Sequence, residues 1–191
     1  MRAAFFSAFL AALIASPALA TGEIESIITP ADRDRLTGFD AAKAQGLAEA
    51  RAGGSAEDIE TLDAVAGALH LPFEDFDMTG DWQCRTIKAG GIAELVVYGW
   101  FRCRVSDDGS GWRLTKLTGS QRTTGRFFTD SHTQLTYLGS GSVNDEQAPP
   151  YGSGPDSDQA GYAFRTGDDG WQIEFPSPRY ESKFDILQFT R

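Results

Sequence analysis

The chain has little to offer metal or nucleophile chemistry: two histidines, two cysteines and two methionines in 191 residues. No H-E-x-x-H, P-loop or G-x-G-x-x-G stands in a suitable context, and no G-x-S-x-G elbow accompanies His70 or His132. Hydrolase, zinc and nucleotide chemistry of the ordinary kinds are therefore disfavoured. No catalytic residue, metal or cofactor is expected. Positive charge is scarce too: 17 Lys and Arg face 27 Asp and Glu, for a formal net charge of −10. Such a balance repels nucleic acid and anionic membrane, which want a basic face. After residue 20 no apolar run approaches the roughly 20 residues needed to span a bilayer as a helix.

Met1-Arg2 precedes an apolar run that ends at Ile14, Pro17 breaks it, and Ala18-Leu19-Ala20 is a small-x-small cleavage site. This predicts a signal peptide over 1–20, cleaved after Ala20, rather than an uncleaved anchor. No cysteine follows the cleavage site to carry a lipid. The expected product is a soluble protein, periplasmic or secreted, and loss of Arg2 leaves it one unit more acidic. Export also bears on Cys84 and Cys103, since an even pair in an oxidising compartment reads as a disulfide. The residues between them look like a hairpin, so the bond would tie neighbouring strands. The alternative, a redox or metal pair, lacks a C-x-x-C spacing and nearby His ligands.

Thr29-Pro30-Ala31-Asp32 has the form of a helix start, with a capping Thr, Pro at the first position and an acid in the first turn. The pattern predicts one helix to Arg51 or Ala52, with Leu36, Phe39, Leu47 and Ala50 near one face. Gly53-Gly54 stops it and Ser55 caps another, striped by Ile59, Leu62, Val65 and Leu69 and ended by His70-Leu71-Pro72. Residues 21–76 thus read as a helical hairpin behind a short leader. From Trp82 the period changes to two. Strands are expected at 81–88, 94–105, 112–118, 122–128, 133–139, 160–166, 171–176 and 183–190, separated by tight turns. The fold class is α+β, mainly β: a hairpin followed, over 77–191, by an antiparallel meander of about eight strands. A sheet of that size tends to curl into a closed or partly closed barrel, and 21–191 form one domain. The break at 140–159 is a surface loop beside one barrel mouth.

Several residues are candidates for holding a small ligand. Aromatics including Trp82 and Trp100 lie on predicted strands, where they fill a core or line an apolar pocket. Ser120, Arg122 and Arg126 combine a hydroxyl and two guanidinium groups in an acidic chain. They suit an anion, or else pair with local carboxylates. Arg179, Glu181, Lys183 and Asp185 alternate along the last strand and read as a solvated charge ladder that adds Arg179 to the candidates.

The runs Trp82–Lys88, Trp100–Val105 and Lys116–Arg122, together with Thr29–Leu36, Pro149–Gly152 and Pro178–Asp185, resemble the bacterial domain of unknown function 4893 family. The resemblance covers nearly all of the chain beyond residue 20. It implies an exported bacterial protein with two matched cysteines, and it carries no activity. A shorter similarity, Gly80-Asp81-Trp82 with Lys183 or Arg191 near the last strand, is to lipocalin-type barrels and bears on fold only. The functional expectation is a non-enzymatic periplasmic barrel binding a small apolar or anionic ligand. The alternative is an interaction protein docking a cell-envelope partner through its hairpin or the 140–159 loop.

Overall fold

The computed structural model describes residues 21–191, with side chains from Ile24 onward. The signal peptide expected at 1–20 lies outside the described residues. Four helices come first: α1 (Thr21–Ile27), α2 (Pro30–Thr37), α3 (Phe39–Gly53) and α4 (Ala56–Ala66). Thr29 caps α2 as its sequence predicts, its hydroxyl accepting the Asp32 N–H at 3.2 Å. The single helix expected over this stretch is two, because Gly38 sits at φ −83°, ψ 7° between them, closing α2 and opening α3. The leader is helical as well, as α1. Ser55 caps α4 by accepting the Asp58 N–H at 3.2 Å. The helix stops at Gly67, so Leu69 falls outside the apolar stripe and is exposed.

Nine strands follow: β1 (Gly80–Gly91), β2 (Leu95–Val97), β3 (Phe101–Asp107), β4 (Trp112–Lys116), β5 (Gln121–Thr129), β6 (Leu135–Val143), β7 (Asp158–Arg165), β8 (Gly170–Pro176) and β9 (Ser182–Thr190). All pairings are antiparallel, and β9 returns to β1 from Gln83↔Thr190 to Gly91↔Ser182, closing an eight-stranded barrel. β2 is the extra strand. It and β3 are the two halves of the predicted strand 94–105. Between Ile87↔Val97 and Cys84↔Phe101, three steps along β1 match four along its partner. That one-residue bulge at Tyr98–Trp100 splits the strand. β2 pairs with β1 alone. The loop expected at 140–159 is shorter, since β6 runs on to Val143 and β7 begins at Asp158.

Period-two alternation decides what fills the barrel. Trp82, Val105, Leu114, Leu135, Tyr137, Ala163, Trp171, Ile173, Leu187 and Phe189 point inward as one buried cluster, plugged by Phe76 and Met78. Trp171 stacks on Phe189 with centroids 3.6 Å apart and meets Trp82 edge-on. Cys84 on β1 and Cys103 on β3 form the expected disulfide inside this cluster. Tyr137 fits because Gly139 faces Gly125 across β5 and β6. A Cβ at Gly139 would lie 2.4 Å from the Tyr137 hydroxyl, so only glycine leaves that space. Arg191 lies over Trp82 at 3.9 Å and donates to the Asp77 and Thr79 carbonyls, sealing this end.

Outside the barrel, α3 and α4 lay Ala50, Leu62 and Val65 on Ile87, Ala89, Phe184 and Ile186. The approach is close at Gly46, where a Cβ would stand 2.6 Å from the Phe184 Cβ. Glu174, fully buried on the outer face of β8, is neutralised by Lys43 of α3 at 2.7 Å and held by Gln172 at 2.8 Å. This pair fastens helix to barrel.

The disulfide closes a loop between residues 19 apart. Replacing both cysteines by Ala is expected to lower unfolding stability by about 3 kcal/mol. Urea denaturation of the oxidised wild type against the double variant reads this directly. Equal midpoints would show that the cross-link contributes nothing.

Candidate functional site

The end of the barrel opposite Trp82 is not filled. It holds a pocket of about 350 Å³, within the range of small-molecule sites. The strands that line it supply its floor by the alternation that builds the core. On β1 the inward series Trp82, Cys84 continues to Thr86 and Lys88, and on β4 the series Trp112, Leu114 ends at Lys116. β5 contributes Gln121 and Thr123, β7 contributes Gln159, and β9 contributes Asp185. The Tyr137 hydroxyl marks the boundary between the halves, 2.7 Å from the Thr123 hydroxyl, which donates to Gln159 at 2.5 Å. Burial pushes the Tyr137 phenol well above its ordinary value, so it is neutral here.

Two segments and a helix rim the opening: residues 144–157, the 177–181 turn, and Arg35 of α2. They are pinned together. Tyr151 donates to Asp32 at 2.7 Å, Arg35 pairs with Asp32 at 2.8 Å and donates to the Asp158 carbonyl at 3.1 Å, and Arg179 pairs with Asp156 at 2.7 Å. Asp158 caps the loop by accepting the Gly152 and Gly154 N–H groups. Among the described residues, the non-glycine positions with positive φ are Asp75, Asn144, Ser177 and Glu181. The last three border this mouth, and strain of that kind gathers where function over-determines the backbone.

Five cations line the pocket: Arg35, Lys88, Lys116, Arg122 and Arg179. Four have carboxylate partners. Arg35 and Arg179 are paired as above, Lys88 is paired with Glu181 and donates to Gln121 at 2.8 Å, and Arg122 is paired with Asp145 at 3.0 Å. The last is weak, since Asp145 is 94% exposed and surface pairs contribute about 0–1 kcal/mol. Lys116 has no ion pair among the described residues. It is 7% exposed, lies over the Phe101 ring at 4.5 Å, and makes one long 3.4 Å contact to the Thr86 hydroxyl. Burial, with Lys88 and Arg122 adding repulsion against the attraction of Asp185, brings its ammonium down to about 8. Asp185 moves the other way. Burial raises its carboxyl to about 6, against the Ser182 hydroxyl that donates to it at 2.6 Å and the attraction of Lys88.

Of the residues singled out from sequence, the structure brings Arg122 and Arg179 to this pocket. Ser120 is exposed beside it, its carbonyl accepting the Asn144 N–H at 2.7 Å. Arg126 lies apart from Arg122, clamped on Asp108. Trp82 belongs to the sealed end, its indole N–H donating to the Met78 carbonyl at 2.8 Å. Trp100 stands at the bulge, 42% exposed, beneath Arg85. Lys88, Lys116 and Asp185 were missed as site residues. Their signal was present: each sits at an inward position of its strand's alternation. The charge ladder read along the last strand does not form, because Asp185 turns into the barrel while Lys183 faces solvent.

A family model matches residues 25–189, nearly the whole described chain. The chain belongs to the family described as Domain of unknown function (DUF4893). Neither a curated protein nor a solved structure matches it. Five of the runs that carry the family resemblance meet at the pocket. Arg35 comes from Thr29–Leu36, Lys88 from Trp82–Lys88, Lys116 and Arg122 from Lys116–Arg122, Pro149 from Pro149–Gly152, and Arg179 and Asp185 from Pro178–Asp185.

A charged lysine without a partner costs stability. The folded state lowers Lys116 from 10.5 to about 8, so the unfolded chain binds the proton more tightly. The penalty is complete below pH 8 and fades as the pH rises toward 10.5. Lys116→Met is therefore expected to stabilise the protein at pH 7 by on the order of 2–3 kcal/mol. The gain shrinks steadily above pH 8. Urea unfolding from pH 6 to 9.5 measures it, and a variant less stable than wild type at pH 7 would contradict the account.

Proposed function

We propose that this chain is an exported, non-enzymatic β-barrel binding module whose polar pocket takes a small anionic ligand. The observation that carries the reading is Lys116: a buried ammonium without a carboxylate, beside Lys88 in an otherwise acidic protein. A buried cation calls for a counter-charge, and a ligand carboxylate or phosphate would supply it. Of the apolar and anionic ligands open at the outset, the anionic one is favoured, because aromatics already occupy the apolar half of the barrel. Arg122 reinforces the preference, since its weak pair with Asp145 is easily exchanged for a ligand. Export draws support from the disulfide, which persists in oxidising compartments. No described helix is long and apolar enough to cross a membrane.

Docking to an envelope partner draws less support. The apolar residues of α3 and α4 are buried against the barrel, and the 144–157 loop is tied to α2 through Tyr151.

Calorimetric titration of the oxidised protein at low salt with phosphate, citrate and decanoate tests the proposal. Phosphate or citrate is expected to bind, and Lys116→Met to weaken that binding roughly tenfold or more, the worth of one charge-assisted hydrogen bond. Binding of decanoate alone, or an unchanged affinity in the variant, would sink it.

A further inference from the structure

Lys116 has the surroundings of a reactive amine as well as those of an anion ligand. It stands in the wall of an open pocket and no carboxylate holds its Nζ. It is 7% exposed, and a second lysine lines the same floor. Desolvation and a neighbouring cation are the two means by which a lysine becomes nucleophilic toward carbonyl compounds. Lys88 does not qualify, because Glu181 and Gln121 hold it.

We propose that Lys116 captures a small 2-oxo acid covalently, its Nζ condensing with the ketone to form an imine while Lys88 and Arg122 hold the ligand's carboxylate. This rests on the pocket being a ligand site. The ammonium first gives its proton to the Asp185 carboxylate or to water. The nitrogen lone pair then forms the C–N bond, and the carbonyl oxygen leaves as water with the two hydrogens of the amine. Nothing is oxidised or reduced, and hydrolysis reverses the step, so capture is a binding event. At about 8 the Lys116 ammonium leaves a usable fraction of free amine near neutral pH, and at about 6 Asp185 is mostly ionised there and able to accept the proton. The charges acting on Lys116 are Lys88 on β1, Arg122 on β5 and Asp185 on β9.

The test incubates the oxidised protein with pyruvate and sodium cyanoborohydride, then maps the adduct by peptide mass spectrometry. L-lactate, which has no ketone, reads the pocket separately by calorimetry. One reduced adduct is expected, on Lys116, heavier by pyruvic acid less one oxygen. It disappears when the reductant is omitted and in Lys116→Arg, which keeps the charge and cannot form the imine. Should Lys116→Arg not fold, the wild-type map alone decides. Yield is expected to climb as the pH passes about 8, and Lys88→Met to move that rise to higher pH. L-lactate binding without an adduct, or adducts spread over exposed lysines such as Lys183, would overturn imine capture while leaving the pocket intact. Absence of both L-lactate binding and adduct would overturn the pocket reading as well.

Discussion

The pairing of β9 with β1 is what the rest of the molecule depends on. It closes the sheet, gives every strand an inside, and makes the inward series of each strand run along one axis. Those series agree. β1 passes from Trp82 through Cys84 to Lys88, β4 from Trp112 through Leu114 to Lys116, and β9 from Phe189 through Leu187 to Asp185. β5 goes from Phe127 through Gly125 to Thr123, and β7 from Ala163 to Gln159. Apolar residues collect at one end of the axis and polar ones at the other. The sealed end supplies packing energy, at roughly 1.5–3 kcal/mol for each large apolar side chain buried. That leaves the polar end to carry charges that do not help folding.

Two buried charges show the difference in use. Glu174 meets Lys43 and Gln172 beneath α3, away from the pocket, and the three together hold a helix to the barrel. Lys116 is also buried, at 7% exposed, but in a place open to ligand, and it meets no carboxylate among the described residues. The first arrangement is complete by itself. The second is complete only with something bound. The arginines differ in the same direction: Arg126 is clamped on Asp108, whereas Arg122 pairs with the almost fully exposed Asp145 and donates its Nε–H to the Gly119 carbonyl at 3.0 Å.

Period-two alternation and turn residues made the meander legible from residue types alone, and the cysteine pair gave one of its cross-strand ties. The helical segment was less legible, because Gly38 interrupts a continuous apolar pattern without the Pro or polar cluster that usually marks a break. The bulge at Tyr98–Trp100 was hidden because its flanks keep the same alternation, shifted by one residue. Two arginines of the candidate site were found by chemistry, as cations in an acidic chain. Lys88, Lys116 and Asp185 were overlooked because a charged residue on a strand is ordinarily read as solvent-facing. Strand parity placed them inside, but only closure of the barrel makes that inside a shared space.

The proposed site turns on Lys116, a buried ammonium charged near neutral pH with no carboxylate partner among the described residues. NMR of protein labelled at lysine Cε, titrated through the alkaline range, measures this most directly. One lysine is expected to titrate near 8, to be assigned to Lys116 by its loss in Lys116→Arg, and to move upward when phosphate or citrate is added. If every lysine titrates together near the ordinary lysine value, with or without the anion, the pocket is not built around an uncompensated charge and the account is wrong.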